Sequence, residues 1–84
     1  MYNITTRTKR AEKQFYEFLD DKIAEKLEML KQNPRGKLGA HKLKGKLKNK
    51  WSCWFGADIR MIYEIDEESR EIIVVAVGSH KLYQ

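Results

Sequence analysis

The chain has 84 residues, 42% of them hydrophobic and 35% charged, with a net charge of +5 and one cysteine. This length suits a single small domain over residues 1–84 with at most two packed layers, and the composition suits a folded protein rather than a disordered tail. The lone Cys53 excludes an intramolecular disulfide and a cysteine-rich metal site, and the chain has no run of about 18 apolar residues to span a membrane.

The positive charge is not spread evenly. Between Lys31 and Lys50 lie eight Lys or Arg residues and no acid, whereas the rest of the chain carries nine bases against twelve acids. A block of +8 reads as a patch that attracts a polyanion, of which nucleic acid is the commonest. A solvated basic loop with no partner is the plainer reading. The N-terminus lacks a positive stretch followed by an apolar one, so no signal peptide is expected and the cytoplasm is the expected compartment.

In chain order, Tyr2, Ile4 and Thr6 alternate with Asn3 and Thr5, which predicts a short edge strand. Thr8 can cap a helix that begins near Lys9, with Ala11, Phe15, Phe18 and Leu19 at helical spacing. Asp20 and Asp21 suit the N-cap and first turn of a second helix, whose stripe is Ile23, Leu27 and Leu30. Asn33-Pro34 stops it. The segment from Lys9 to Gln32 is either a tight helical hairpin or one kinked helix.

Residues 34–40 form a loop with two glycines, and residues 41–50 alternate Leu with Lys as a strand edge or an extended loop. Trp51–Phe55 predicts a strand with Trp51, Cys53 and Phe55 on one face and Trp54 on the other. A connection through Gly56-Ala57-Asp58 leads to Ile59–Ile65, where Ile59, Met61, Tyr63 and Ile65 oppose Arg60, Ile62 and Glu64. After a turn at residues 66–70 comes Ile72–Val77, six consecutive apolar residues that are mostly β-branched. Such a run predicts a central strand covered on both faces, ended by Gly78. The expected fold is α+β, a β-α-α-β-β-β two-layer sandwich with a helical hairpin on a mostly antiparallel four-stranded sheet.

Several residues carry reactive or anion-binding chemistry. Arg60, opposite the core-facing residues of its strand, can bind a phosphate bidentately, or form a surface ion pair with Glu64 or Asp58. His41 and His80 are the two histidines and the groups best able to exchange protons near neutral pH. Asp58 can move a proton or merely support its turn. Trp54 and Tyr83 can stack on bases, or pack as ordinary surface aromatics. No metal or cofactor is expected.

The element order, with His41-Lys42-Leu43-Lys44-Gly45, Trp51-Ser52, Arg60-Met61-Ile62-Tyr63 and Val77-Gly78-Ser79-His80-Lys81-Leu82-Tyr83, resembles the RelE/ParE toxin superfamily, and most closely its RelE and YafQ branches. That resemblance spans nearly the whole chain. It implies a toxin of a type II toxin–antitoxin system, held inactive by a cognate antitoxin, that cuts mRNA in the decoding site of the ribosome. By the same resemblance His80 is the leading catalytic group, and His41 matches the histidine before the LKG segment of the YafQ branch. Asp58 falls near that branch's catalytic aspartate, while Trp54 stands where it has another histidine. Arg60 matches the strand arginine that meets the phosphate, and Tyr83 a late tyrosine of RelE. Lys42, Lys44, Lys46, Lys48 and Lys81 resemble the basic residues that bind RNA. The same fold also serves ParE-like inhibitors of DNA gyrase, and a plain RNA- or ribosome-binding module is a third alternative.

Overall fold

The structure is a computed structural model that describes residues 1–56 and 58–79. Its elements are β1 (Asn3–Thr6), α1 (Lys9–Phe18), α2 (Asp21–Gln32), β2 (His41–Lys42), a single 3₁₀ turn (Gly45–Leu47), β3 (Trp51–Trp54), β4 (Ile59–Asp66) and β5 (Glu71–Ser79).

Local chemistry sets the helix boundaries. The Thr8 hydroxyl accepts from the Ala11 amide at 3.1 Å, and the Asp20 carboxylate accepts from the Ile23 amide at 2.8 Å. Each satisfies one of the amide donors that a helix N-terminus leaves without an intrahelical partner. Extended backbone at Leu19 and Asp20 separates the two helices, so the hairpin is the arrangement adopted rather than one kinked helix. Asn33 closes α2 by donating its amide to the Met29 carbonyl.

Among the described residues the sheet has five strands in the order β1-β5-β4-β3-β2, one more than the sequence pattern predicts. The extra strand is the two-residue β2, which pairs His41 with Ser52 and Lys42 with Trp51. Its pattern of alternating Leu and Lys fits an edge strand and an extended loop equally, and the backbone of β3 decides the matter. β1 lies at the other edge, as expected, paired parallel to β5, and β5 is interior between β1 and β4.

The apolar run of β5 is not buried by simple alternation. Ile62 pairs with Ala76 but Tyr63 pairs with Val74, so Val75 is an extra residue. This bulge turns both Val74 and Val77 toward the helices, although they are three apart. Gln14 of α1 accepts a hydrogen bond from the Val77 amide at 3.0 Å. The strand does not stop at Gly78 but continues to Ser79, because β4 supplies partners to that point.

The core lies between the helices and one sheet face. It includes Phe15, Ile23, Leu27, Leu30, Cys53, Phe55, Met61, Tyr63, Ile72, Val74 and Val77. A fully buried aliphatic or aromatic side chain of this size contributes about 1.5–3 kcal/mol. Tyr63 is fully buried and donates its hydroxyl proton to the Pro34 carbonyl at 2.6 Å, which ties the chain after α2 to β4.

Candidate nucleic-acid interface

Pairing register determines which side chains share the sheet face opposite the helices. His41, Ser52, Ile62 and Ala76 are paired in one row across β2, β3, β4 and β5. Trp54, Arg60 and Gly78 are paired in the next row. Side chains in such rows point the same way, and strands lie about 4.8 Å apart. His41 and Arg60, two strands and one row apart, therefore stand about 12 Å from each other across the sheet.

His41 is exposed, and its Nδ1 lies 3.2 Å from the Gly39 carbonyl. A carbonyl only accepts, so in this contact Nδ1 is the donor, and Nε2 takes no part in it. Arg60 is half-buried and gives one Nη1 donor to the Ile59 carbonyl at 3.4 Å. Among the described residues, ion pairs join Lys31 to Glu28, Arg35 to Glu67 and Lys50 to Glu64. Arg60 takes part in none of them, so the surface ion pair with Glu64 or Asp58 does not form. Asp58 is exposed in the β3–β4 connection, one residue before β4.

Lys42, Lys44, Lys46 and Lys48 are all exposed, on β2 and on the loop that follows it. The Leu43 amide donates to the Lys50 carbonyl at 2.8 Å and closes this loop. Within it Leu43 and Leu47 are half-buried, which leaves the lysines outward. Of the remaining predicted site residues, His80, Lys81 and Tyr83 lie outside the described residues.

Cys53 is buried, and burial pushes its thiol up to about 12, so it stays protonated and is no nucleophile. Among the described residues, no three His, Cys, Asp or Glu side chains come together as metal ligands, and no helix is long and apolar enough to cross a membrane.

Trp54 is 57% exposed and marks a feature that the sequence pattern did not disclose. Its indole rests on Gly39: a Cβ at that position would come within 3.0 Å of the ring. Leu38 and Gly39 have φ of 54° and 65°, a left-handed pair at which leucine is uncommon. The Trp54 amide donates to the Leu38 carbonyl at 2.8 Å and holds this lip against β3. Between the lip, the end of β3 and α2 runs a groove of about 800 Å³, lined by Ile23, Lys26, Met29, Leu38, Trp54 and Arg60 among others. Met29 lies on α2 outside the buried stripe of Ile23, Leu27 and Leu30 and is exposed beside the groove.

The profile of a family described as "Bacterial toxin of type II toxin-antitoxin system, YafQ" matches residues 3–83. No curated protein sequence matches the chain. Among solved structures, a metal-bound toxin from Helicobacter pylori is similar at 25% identity and a TM-score of 0.71, over 95% of this chain and 96% of that one. A chain of a YoeB-YefM complex from Staphylococcus aureus (23% identity, TM-score 0.68, 95% and 98% covered) shares the fold. So does a chain of the toxin-antitoxin complex RelBE2 from Mycobacterium tuberculosis (17%, 0.64, 94% and 98%). With the profile covering nearly its full length, and with two helices on an open mixed sheet, the chain belongs to the YafQ family of bacterial type II toxins.

Proposed function

We propose that this toxin is an endoribonuclease that cuts mRNA on the ribosome and is restrained by a cognate antitoxin. The observation that carries the reading is the register. It sets Trp54 and Arg60 side by side on the face that also bears His41, and β2 runs on into a loop of exposed lysines. The relatives in complex with antitoxins, YoeB with YefM and RelBE2, support the partner.

The chemistry is an internal transfer at phosphorus. A base takes the proton of a ribose 2′-hydroxyl, and the 2′ oxygen attacks the adjacent phosphorus. The bond to the 5′ oxygen breaks, and an acid gives that oxygen a proton. The products are a 2′,3′-cyclic phosphate and a 5′-hydroxyl. In this scheme Arg60 neutralises the charge that grows on the phosphoryl oxygens, and Trp54 stacks on a base. His80 is the leading proton-transfer group, with His41 Nε2 as a second acceptor and Asp58 in support. Lys42, Lys44, Lys46, Lys48, Lys81 and Tyr83 hold the RNA.

Cell-free translation with primer extension on the mRNA tests this. The parent chain should cut within ribosome-bound codons, and Arg60→Ala or His80→Ala should lower the rate by roughly 100- to 10,000-fold. A folded His80→Ala chain that cuts at the parent rate would remove His80 from the mechanism. Growth arrest without cuts, accompanied by inhibited gyrase supercoiling, would place the activity with the ParE-like toxins instead.

A further inference from the structure

We propose that Gly39 is a positioning residue of the RNA site: it covers one face of the Trp54 indole, so that a base stacks on the other face alone, beside Arg60. The proposal rests on the nuclease reading above and deepens it. A Cβ at position 39 would lie 3.0 Å from Cε2 of Trp54 and 3.2 Å from Cδ2 and Cζ2. Cδ2 and Cε2 are the two carbons that the five- and six-membered rings share. They carry no hydrogen and are enclosed in the plane of the indole, so an approach this close to both comes from above or below that plane. Gly39 therefore sits against the flat face of the ring and not at its edge. Pairing register gives the reason. His41 pairs with Ser52, and the same register continued by two residues puts position 39 opposite Trp54. Where a cross-strand side chain would stand, the turn presents a bare Cα.

That turn is held from several sides. The Ala40 amide donates to the Lys37 carbonyl at 3.0 Å, and Leu38 and Gly39 between them both have positive φ, the pattern of a type I′ turn. Leucine is strained in such a position. The strain is held by the Trp54 amide, which donates to the Leu38 carbonyl at 2.8 Å, and by the packing of Leu38 and Ala40 against the core. Backbone outliers that their surroundings hold in place gather at functional sites.

The same residue meets a second side chain of the site. The Gly39 carbonyl accepts from Nδ1 of His41 at 3.2 Å. Trp54 is the diagonal neighbour of His41 on the shared face, so one turn sets both the indole and the imidazole beside it. With one face covered, the 57% exposure of Trp54 offers a single free face, which takes one base. Arg60 is the cross-strand partner of Trp54, so a nucleotide stacked on the indole brings its phosphate toward the guanidinium. A ring already seated loses little freedom when the base arrives.

The test is a double-mutant cycle on the full chain, with an uncleavable 2′-deoxy-substituted oligonucleotide as the probe in titration calorimetry. Gly39→Asn is the informative variant, because asparagine tolerates positive φ while its Cβ still meets the ring. It should weaken oligonucleotide binding by about fivefold or more, and Trp54→Ala by roughly 5- to 100-fold. In the Trp54→Ala background Gly39→Asn should change affinity by less than about twofold, because the ring it acts through is gone. Cutting rates of the same four proteins in cell-free translation should follow the same pattern. In the parent the Gly39 Hα protons should resonate upfield, shielded by the ring, and move downfield in Trp54→Ala. A folded Gly39→Asn chain that binds and cuts as the parent does would overturn the role of Gly39 and leave the nuclease reading intact. So would a loss that is as large without Trp54 as with it. Should Gly39→Asn fail to fold, Hα shifts that do not respond to Trp54→Ala would overturn the proposal. A parent that binds no oligonucleotide and cuts no mRNA would overturn both the proposal and the nuclease reading.

Discussion

Trp54 shows how a single residue's role depends on its seat. An exposed indole usually has many orientations, but here Gly39 lies directly beneath the ring in a left-handed conformation. Any Cβ at position 39 would press on the indole, at 3.0 Å from one ring atom and 3.2 Å from two others. A side chain at that φ also costs about 1–2 kcal/mol in backbone strain. We therefore expect Gly39→Ala to lower stability by about 1–2 kcal/mol in urea denaturation. In a Trp51→Phe background the emission of Trp54 should shift as its ring is lifted. Unchanged stability together with unchanged emission would mean that the ring is not seated on Gly39. Cys53, by contrast, is legible from its place in the strand pattern: alternation puts it on one face with Trp51 and Phe55, and that face meets the core.

At the scale of elements, the chain leaving α2 is fastened to the β4–β5 turn. The Tyr2 hydroxyl donates to the Glu67 carboxylate at 2.8 Å, and Arg35 pairs with the same group. The Arg35 guanidinium, then the Tyr2 hydroxyl, hold the Glu67 carboxyl below its ordinary range. A lowered folded-state pKa stabilises the native state fully above the ordinary value, about 4.3, and this contribution is lost as the pH falls through the folded-state value. The parent should thus be more stable than Glu67→Gln at neutral pH, and the gap should close as the pH falls below the ordinary carboxyl value of about 4.3. Urea denaturation of both proteins across that range checks it, and a gap of constant size would refute the ionic account. Glu67 is exposed, so the effect is small and weakens with salt. This tie joins residues 65 apart in sequence, and no local pattern announces it.

For the whole molecule the dominant property is the asymmetry of charge. The lysines of the loop after β2 project outward while its leucines turn in, so the chain offers a polyanion a compact basic knob beside the β2 edge. If Lys42, Lys44 and Lys46 each neutralise one phosphate, replacing all three by Ala should flatten the slope of log affinity against log salt by about 2 for single-stranded RNA. A salt titration of ribosome or RNA binding measures this, and an unchanged slope would leave the block as ordinary solvated surface. The triple variant should keep its fold, because all three side chains are exposed.

What the sequence determined by itself were the features that depend on neighbours along the chain. The Thr8 and Asp20 caps, the apolar stripe of α2, the division of Ile59–Ile65 into two faces and the basic block all follow from local spacing and local chemistry. The tertiary structure decided whatever depends on pairing between distant segments. Two residues of the Leu–Lys stretch became β2 because β3 offered them hydrogen-bond partners. A bulge at Val75 shifted one strand against another and overrode simple alternation. The groove exists because Leu38, Met29 and Trp54, far apart in sequence, are brought to one edge of the sheet. Periodicity reports which face of its own element a residue occupies, but it holds no information about which other element that face will meet.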